Sequence, residues 1–240
     1  MIHSNPLFRC YFGDAKDCLY PQEYSALAGG PNILSVAPFK GLGKRLQLRN
    51  LVFLRQMHTT QGAVIADQDT ALSMPPFDVE GDYLITNQKK VGIGVMTADC
   101  LPIIIVDTVH GVIGIAHAGW RGTVAGIGTV MLKAMQHAFG TDPAQVKIFF
   151  GPCAQVCCYE VSDSFASQLE RFPFNEQLIF ERSGRYYFDS VLCNRLQLEE
   201  AGVPREALCN EYTICTIENS AFCSHRRNDV GHQMTVVTLL

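Results

Sequence analysis

Three short apolar runs in the middle of the chain constrain its fold more than any other feature of the sequence. They occupy residues 91–96, 102–107 and 112–116, and a few polar residues separate each from the next. Runs of this length that are rich in Val and Ile and bounded by Gly, Pro, Asp and His are typical of buried strands. The sequence therefore predicts three consecutive strands at the centre of a packed sheet.

Polar side chains occur where two of these predicted strands end. Asp99 and Cys100 follow the first run, and His117 follows the third. A polar group at the end of a buried strand costs free energy unless it is paired or functional. Since neighbouring strands lie about 4.8 Å apart, we expect Cys100 and His117 to meet at one edge of a sheet.

His58 joins these residues as a candidate because it lies in a polar loop between two further short predicted strands. Two imidazoles and a thiolate suit Zn²⁺, and three protein ligands leave open the fourth position that a catalytic zinc needs. The same set also suits copper. A metal-free alternative uses Cys100 as nucleophile, His117 as base and Asp99 to orient that base. Spacing alone favours none of these over ordinary packing roles.

A glycine-rich turn, G-W-R-G-T, leads into a helix predicted at residues 124–139. Glycines in such a turn let an anion approach the N–H groups of the helix start, and Arg121 adds a charged fork suited to phosphate or carboxylate. A tight turn with a solvated arginine is the alternative. Arg226 and Arg227 form a second basic spot with the same two interpretations. Trp120, the single tryptophan, is predicted to pack in the core rather than to stack on a ligand.

The rest of the chain predicts a mixed α/β (α+β) fold in which strands outnumber helices. Further strands are predicted at residues 83–86, 146–150, 185–188, 212–216, 221–224 and 234–239, and further helices at 163–171 and 190–201. The sequence contains no repeat, low-complexity tract or linker. Residues 1–240 are therefore predicted to form one domain.

Targeting signals and cysteines point to a reducing compartment. The first residues lack the basic segment and apolar stretch of a signal peptide, and no apolar run approaches the roughly 20 residues that span a bilayer. We therefore predict a cytoplasmic protein whose ten cysteines form no disulfide framework. Cys153, Cys157 and Cys158 resemble a metal cluster. Adjacent side chains on an extended chain point in opposite directions, however, so packing is predicted there.

Charge and composition exclude several partners. Apolar residues make up 48% of the chain and charged residues 18%, which is enough for a large core and argues against disorder. A net charge of −4 and a pI near 6.0 predict no nucleic acid and no acidic membrane surface as partner. Seven histidines are too few for the copper sites of a multicopper oxidase. The composition makes no prediction of the oligomeric state.

Four motifs together resemble a known family. T-A-D-C-L-P, H-A-G-W-R-G-T, G-P-C-x-x-x-C-C-Y-E-V and the late C-T followed by F-C-S-x-R-R occur in this order. They are similar to those of the YfiH/YlmD family (DUF152, the polyphenol oxidase laccase family), to which mammalian laccase domain-containing protein 1 belongs. The resemblance runs from about residue 51 to the C-terminus, and residues 1–50 match poorly.

The resemblance implies a single YfiH/CNF1-like α/β domain with layered mixed sheets flanked by helices. It also implies a zinc site of two His and one Cys, which the motifs assign to His58, Cys100 and His117. Activities known for the family are phosphorolysis of adenosine, inosine and methylthioadenosine, and deamination of adenosine. A role in editing peptidoglycan precursors has been assigned to bacterial members. Two positions depart from the pattern: Thr59 replaces a Gly, and His232 stands where the family usually has Arg.

On this basis we expect a zinc-dependent purine nucleoside phosphorylase that also deaminates adenosine, with purine nucleosides and phosphate as its small-molecule partners. Asp99 is the expected acid/base, and Arg121, with Arg226 or Arg227, is expected to hold the phosphate charge. The alternatives are a copper-dependent polyphenol oxidase, a metal-free cysteine hydrolase that uses Cys100, and a non-enzymatic interaction module.

Overall fold

The apolar runs form the three predicted strands in the computed structural model, which describes residues 1–28, 30, 33–37 and 39–240. The strands, in chain order, are β1 Ile2–Ser4, β2 Phe8–Phe12, β3 Asn50–Phe53, β4 Gly62–Ile65, β5 Tyr83–Thr86, β6 Val91–Thr97, β7 Leu101–Asp107, β8 Val112–Ala118, β9 Lys147–Phe150, β10 Glu160–Val161, β11 Ile179–Arg182, β12 Arg185–Phe188, β13 Leu208–Cys209 and β14 Gln233–Leu239.

Helices lie mainly on the outer faces of the sheets. They are α1 Pro21–Leu27, α2 Phe39–Leu46, α3 Gln68–Ser73, α4 Trp120–Val124, α5 Ile127–Phe139, α6 Asp163–Ala166 and α7 Ser190–Glu200. Short 3₁₀ turns occur at Ala15–Asp17, Ile33–Ser35, Pro143–Gln145, Ser167–Leu169, Asn175–Gln177, Arg205–Ala207 and His225–Arg227. Within the described ranges, no helix has both the length and the apolar character needed to cross a membrane.

The described strands form two large sheets and one small sheet. The first sheet has the order β1-β2-β14-β6-β3, and the second has the order β13-β9-β7-β8-β5-β4. Both are mixed, because β3 pairs parallel with β6 and β4 pairs parallel with β5, whereas the central pairs are antiparallel. The small sheet contains β10, β12 and β11. The chain therefore passes from the first large sheet to the second between β6 and β7, where Asp99 and Cys100 lie.

The two large sheets pack face to face, and helices cover their outer faces. Ile93 of β6 and Ile104 of β7 belong to one apolar cluster between the sheets. Phe39 of α2 packs over the outer face of the first sheet, and Met131 of α5 packs over the outer face of the second. Every residue of β6, β7 and β8 is consequently buried. The predicted fold of layered mixed sheets flanked by helices is confirmed.

The helix predicted at residues 124–139 begins earlier than expected and is interrupted. α4 starts at Trp120, directly after β8, and the chain breaks at Gly126 before α5 begins. Gly126 has a φ of 77°, a left-handed conformation that glycine adopts without steric cost. Gln197 of α7 reaches this break and donates a hydrogen bond to the carbonyl of Thr123 at 3.0 Å. Two helices replace the predicted one because this glycine permits a turn between them.

Two late segments, residues 212–216 and 221–224, are loops, so the prediction of strands there is wrong. The guanidinium of Arg227 donates hydrogen bonds to the carbonyls of Thr216 and Phe222 within these loops. These carbonyls are thus satisfied by a side chain instead of a neighbouring strand. Apolar composition alone did not distinguish the two situations.

Candidate metal centre

The antiparallel register of β7 and β8 brings Cys100 and His117 together. Leu101 pairs with Ala118 and Pro102 pairs with His117, so Cys100 lies just outside the ladder beside the end of β8. The expectation that these two residues meet at one sheet edge is confirmed. His117 is 3% exposed, and Cys100 is partly exposed.

His58 reaches the same place through a loop that one buried carboxylate organises. Asp82 directly precedes β5, and its side chain is fully buried. Its oxygens accept hydrogen bonds from the backbone N–H groups of Met57, His58 and Thr59 at 2.7–3.2 Å, and from the Thr59 hydroxyl at 2.8 Å. Consecutive N–H groups around one carboxylate form an anion-binding turn, and His58 takes the required positive φ of 59°.

Asp82 also orients His117. The Nδ1 atom of His117 lies 2.9 Å from a carboxylate oxygen of Asp82, and the backbone N–H of His117 donates to the Asp82 carbonyl at 2.7 Å. This hydrogen bond assigns the ring proton to Nδ1 and leaves Nε2 available as a ligand. A carboxylate behind a ligating histidine is the usual outer partner at metal sites. Asp82 therefore positions both histidines.

The three side chains have the donor chemistry and spacing of a metal site. Their ligand atoms all lie within 4.8 Å of one another, and Cys100 Sγ is 3.9 Å from His58 Nε2. A tetrahedral zinc ion separates sulfur and nitrogen ligands by about 3.5 Å, given bonds of about 2.3 Å and 2.0 Å. Gly119 keeps this space open, because a Cβ there would lie 2.7 Å from His58 Cδ2 and 3.3 Å from Cys100 Sγ. His58, Cys100 and His117 thus fit a metal ion.

Electrostatics inside the site favour a thiolate beside charged imidazole. Burial alone would raise the pKa of the Cys100 thiol, but the adjacent His117 and His58 lower it to about 6. Burial would lower the pKa of His117, but the Cys100 thiolate and Asp82 raise it to about 9. The pKa of Asp82 falls to about 2 in spite of its burial, because His117 and Thr59 donate hydrogen bonds to its charged form. A metal ion would take the place of protons held by Cys100 and His117.

The candidate metal centre lies in the wall of a cavity of about 870 Å³. The cavity is lined by Ala28, Leu54, Arg55, Gln56, His58, Phe77, Met96, Ala98, Asp99, Cys100, His117, Trp120, Arg121, Tyr159, His225, Arg226 and His232. A volume of this size accepts a small organic ligand together with an anion. His58, Asp99, Cys100, His117, Arg121 and Arg226 therefore line one pocket.

The predicted basic residues divide into two groups. Arg121 is exposed at the start of α4, with its guanidinium 4.3 Å from the Trp120 ring, and Arg226 lies 5.1 Å from the Tyr159 ring. Arg227 is not among the cavity-lining residues that the structure describes. Its guanidinium donates to loop carbonyls and to Asp229 at 2.6 Å. Arg227 therefore holds the loop and is directed away from a ligand.

Asp99 has a different environment from the one expected of an acid/base. One oxygen accepts a hydrogen bond from the Thr216 hydroxyl at 2.6 Å, and the other accepts from the Ser224 hydroxyl at 3.0 Å and from the Arg226 N–H at 2.7 Å. Its φ of 83° places it in a left-handed turn between β6 and β7. These contacts tie the late loops to the residue beside Cys100.

Several residues of the pocket were not singled out from the sequence. In the sequence Asp82 has the pattern of a loop aspartate, and its position directly before a predicted strand is the one feature that distinguishes it. Gln56 exchanges two hydrogen bonds with the backbone of Met96 at 2.7 and 2.8 Å, which fixes the start of the His58 loop on the first sheet. Tyr159 lies within the Y-E-V motif and lines the cavity. Trp120, predicted as core, is half-buried in the cavity wall.

The two departures from the family pattern also lie at the site. Thr59 replaces the usual Gly and donates to Asp82 through both its N–H and its hydroxyl. His232 lines the cavity where the family usually has Arg. Burial, together with the positive charge of His117, His225 and His58, lowers the pKa of His232. A neutral imidazole therefore occupies a position expected to carry a cation.

The chain is similar to several known proteins. A family model described as multi-copper polyphenol oxidoreductase laccase matches residues 39–240. The chain is 37% identical over 186 residues to a purine nucleoside phosphorylase of Aquifex aeolicus, covering 77% of this chain and 81% of that protein. It is 34% identical over 196 residues to adenosine deaminase RL5 of an unknown prokaryotic organism, covering 79% of this chain and 74% of that protein.

Among solved structures, the protein YfiH of Bacillus licheniformis superposes with a TM-score of 0.79 at 26% identity. The match covers 97% of this chain and 93% of the other. The layered arrangement of sheets described above is therefore shared across nearly the whole length of both proteins.

Proposed function

Because the chain belongs to the multi-copper polyphenol oxidoreductase laccase family, the YfiH/YlmD family of the sequence motifs, we propose that it is a zinc-dependent purine nucleoside phosphorylase that also deaminates adenosine. The observation that carries the proposal is the convergence of His58, Cys100 and His117 in the wall of a cavity that also presents Arg121 and Arg226. Relatives named purine nucleoside phosphorylase and adenosine deaminase supply the substrate class.

The metal ligands in this proposal are His58, Cys100 and His117. A zinc ion on these three residues would supply a Lewis acid with one open position, which lowers the pKa of a bound water or polarises a substrate oxygen. Asp82 keeps the His117 proton on Nδ1, so Nε2 faces the site. The same carboxylate fixes the backbone of His58, so that both imidazoles are held before a ligand arrives.

Arg121 and Arg226 form the phosphate subsite. In phosphorolysis a phosphate oxygen attacks C1′ of the ribose while the purine leaves, so cationic donors must hold the phosphate charge near the sugar. Arg226 is directed by its own N–H bond to Asp99 and by a bond from its guanidinium to the Glu160 carbonyl at 2.9 Å. We assign Asp99 as a positioning residue for Arg226, because its oxygens already accept three hydrogen bonds.

Aromatic side chains of the cavity wall form the purine subsite in this proposal. Phe77, Trp120 and Tyr159 all line the cavity. Purines present flat π-faces, and stacking on an aromatic ring contributes about 1–3 kcal/mol per base in nucleic-acid complexes. Deamination needs the purine C6 near the metal, whereas phosphorolysis needs C1′ near the phosphate subsite. A cavity of about 870 Å³ has room for a nucleoside in more than one orientation.

The decisive experiment combines metal analysis with product analysis. Purified protein is incubated with adenosine and phosphate, and the products are separated by chromatography. Adenine with ribose 1-phosphate reports phosphorolysis, and inosine reports deamination. We expect at least one equivalent of zinc per chain and formation of both products. Both products should be lost when zinc is chelated or when Cys100 is replaced in Cys100→Ser. His137→Asn is the matched control, because His137 is exposed on α5 away from the cavity.

Other outcomes assign the alternatives. Turnover that survives chelation but is abolished by thiol alkylation would make Cys100 a nucleophile with His117 as its base. Copper in the purified protein with oxygen-dependent oxidation of phenols would support the oxidase instead. A metal-loaded protein that forms neither adenine nor inosine would refute the proposed substrate class.

A further inference from the structure

A second group of soft ligands lies outside the candidate metal centre. The side chains of Cys157, Cys158, Cys215 and Glu218 present three sulfur atoms and a carboxylate oxygen, all within 4.8 Å of one another. Cys157 Sγ is 3.7 Å from Glu218 Oε2. None of these residues lines the cavity described above. The group, called here the thiol cluster, ranges from the exposed Cys157 to the buried Cys215.

The local chain explains how neighbouring cysteines come to face one point. Packing was predicted for Cys157 and Cys158 because side chains alternate on an extended chain, but the chain is not extended here. The N–H groups of Cys158 and Tyr159 both donate to the Gln155 carbonyl, at 2.9 and 2.8 Å, which closes a tight turn. Within a turn, successive side chains can project to the same side. The premise of the sequence prediction is therefore wrong.

A short parallel bridge supplies the third thiol. Cys153 and Cys215 pair in an isolated bridge, with hydrogen bonds from Cys153 N to Ile214 O at 3.1 Å and from Thr216 N to Cys153 O at 3.0 Å. This pairing lays the loop that carries Cys215 and Glu218 along the loop that carries the other two cysteines.

The sulfur of Cys215 sits among hydrogen-bond donors. Burial opposes the charged form of this thiol, but the nearby backbone N–H groups of Gln155, Glu218 and Ile217 favour it and lower the pKa of Cys215. Hydrogen bonds from N–H groups favour the charged form of an acceptor, and the thiolate is the form of cysteine that binds metals. The environment of the Cys215 sulfur therefore suits metal ligation. Burial raises the pKa of the Cys157 and Cys158 thiols, so a metal ion would have to displace their protons.

From this geometry we propose that the thiol cluster is a second metal site, distinct from the candidate metal centre, that binds Zn²⁺ through Cys157, Cys158, Cys215 and Glu218. Tetrahedral zinc with bonds of about 2.3 Å to sulfur and 2.1 Å to oxygen separates sulfur and oxygen by about 3.6 Å. The 3.7 Å separation of Cys157 and Glu218 matches this value. The exposed Cys157 provides the entry path.

A disulfide is the competing use of these thiols. It would employ two sulfur atoms and leave the third thiol and the carboxylate without a role. Four converging ligands of this kind instead complete the closed coordination of a structural zinc site. Bound zinc would connect two loops that reach the cavity. Tyr159, which lines the cavity, follows Cys158 in one loop; Thr216, which bonds to Asp99, follows Cys215 in the other.

The test is a zinc count in variants that separate the two sites. Reduced protein is stripped with a chelator, reloaded with Zn²⁺, desalted and analysed by mass spectrometry of the metal. Wild-type protein should hold about two equivalents per chain, Cys157→Ser about one, and Cys100→Ser about one. The double variant Cys100→Ser/Cys157→Ser should hold none. Cys209→Ser, which changes a half-buried thiol outside both sites, should keep two equivalents.

Cobalt substitution gives a second measurement, made on folded wild-type protein and on two variants. Thiolate-to-cobalt charge transfer absorbs in the near ultraviolet, and its intensity increases with the number of bound thiolates. The Cys100→Ser protein should retain a strong band from three thiolates, and Glu218→Gln should lower the zinc affinity without removing that band. Unchanged zinc content in Cys157→Ser overturns the proposal. A reduced wild-type protein that binds a single equivalent, lost in Cys100→Ser, overturns it as well.

Discussion

Replacing Asp82 by asparagine tests whether one buried carboxylate holds the candidate metal centre together. Asp82 accepts hydrogen bonds from the backbone of the His58 loop and from Nδ1 of His117. Asparagine preserves the shape but exchanges one acceptor oxygen for an NH₂ donor. That donor can bond to Nδ1 of His117 only if the ring proton moves to Nε2, which removes the lone pair needed for the metal. The substitution should therefore weaken metal binding more than it disturbs the fold.

The pKa of Asp82 sets the size of the stability effect. It is lowered from 3.8 to about 2 against the effect of burial, by the hydrogen bonds from His117 and Thr59. A difference of this size corresponds to about 2.5 kcal/mol of stabilisation at neutral pH. Because the folded-state pKa is the lower one, the stabilisation is complete above about pH 4 and disappears as the pH falls toward 2. Metal affinity should fall about 10–100-fold, as is usual for the partner behind a histidine ligand.

The assay pairs urea unfolding of metal-free protein with zinc titration against a competing chelator. Asp107→Asn is the matched control, because Asp107 is also fully buried, also bonds to a histidine Nδ1 (His110, 2.8 Å), and also accepts backbone N–H groups. It lies at the far end of β7 from Cys100. Both substitutions should lower stability, and Asp82→Asn alone should lower zinc affinity.

Two results would refute this reasoning. Equal zinc affinity in the wild type and Asp82→Asn would show that the carboxylate does not control the His117 tautomer. A stability difference between them that persists undiminished at pH 2 would show that the carboxylate charge is not what stabilises the loop.

Three further predictions follow from the same contacts. Gly119→Ala should abolish zinc binding at the candidate metal centre while leaving far-ultraviolet circular dichroism unchanged, because the new Cβ would lie 2.7 Å from the His58 ring. Zinc affinity, measured by chelator competition, should rise about tenfold per pH unit between pH 6 and 9, and more steeply below pH 6. The reason is that Cys100, with a pKa of about 6, and His117, with a pKa of about 9, must both lose their protons before zinc binds. Arg227→Ala should lower the free energy of unfolding, measured by urea denaturation, by about 2–3 kcal/mol, because its guanidinium bonds to loop carbonyls. The substitution should not raise the KM for phosphate.

The sequence could predict the parts of the fold that depend on local pattern. The apolar runs that became β6, β7 and β8 are fully buried, and burial on both faces leaves the composition of a strand little freedom. Cys100 and His117 could be paired in advance because an antiparallel register links consecutive strand ends. The sequence could not assign the partner of His117, because Asp82 approaches from a strand end distant in the chain.

Turns and loops account for most of the errors. Residues 212–216 look like a strand in composition, yet the guanidinium of Arg227 binds the carbonyl at their end. The sequence predicts that Cys157 and Cys158 cannot share a ligand, because side chains alternate in direction along an extended chain. The structure has a tight turn there instead. In each case a long-range hydrogen bond or a tight turn determines the backbone conformation. Neither changes the hydrophobic periodicity of the surrounding residues, so a pattern-based prediction does not detect it.

The placement of Trp120 gives the chain an optical property. It is the single tryptophan of the sequence, half-buried in the cavity wall, with its ring edge-on to Phe165 at 5.4 Å and under the guanidinium of Arg121 at 4.3 Å. All indole fluorescence of the protein therefore originates beside the pocket, without background from other sites. Arrival of an anion at Arg121, or of an aromatic ring against the indole, changes the polarity and quenching of that emitter. We therefore expect changes in Trp120 fluorescence to report ligand binding and release in real time on unlabelled protein.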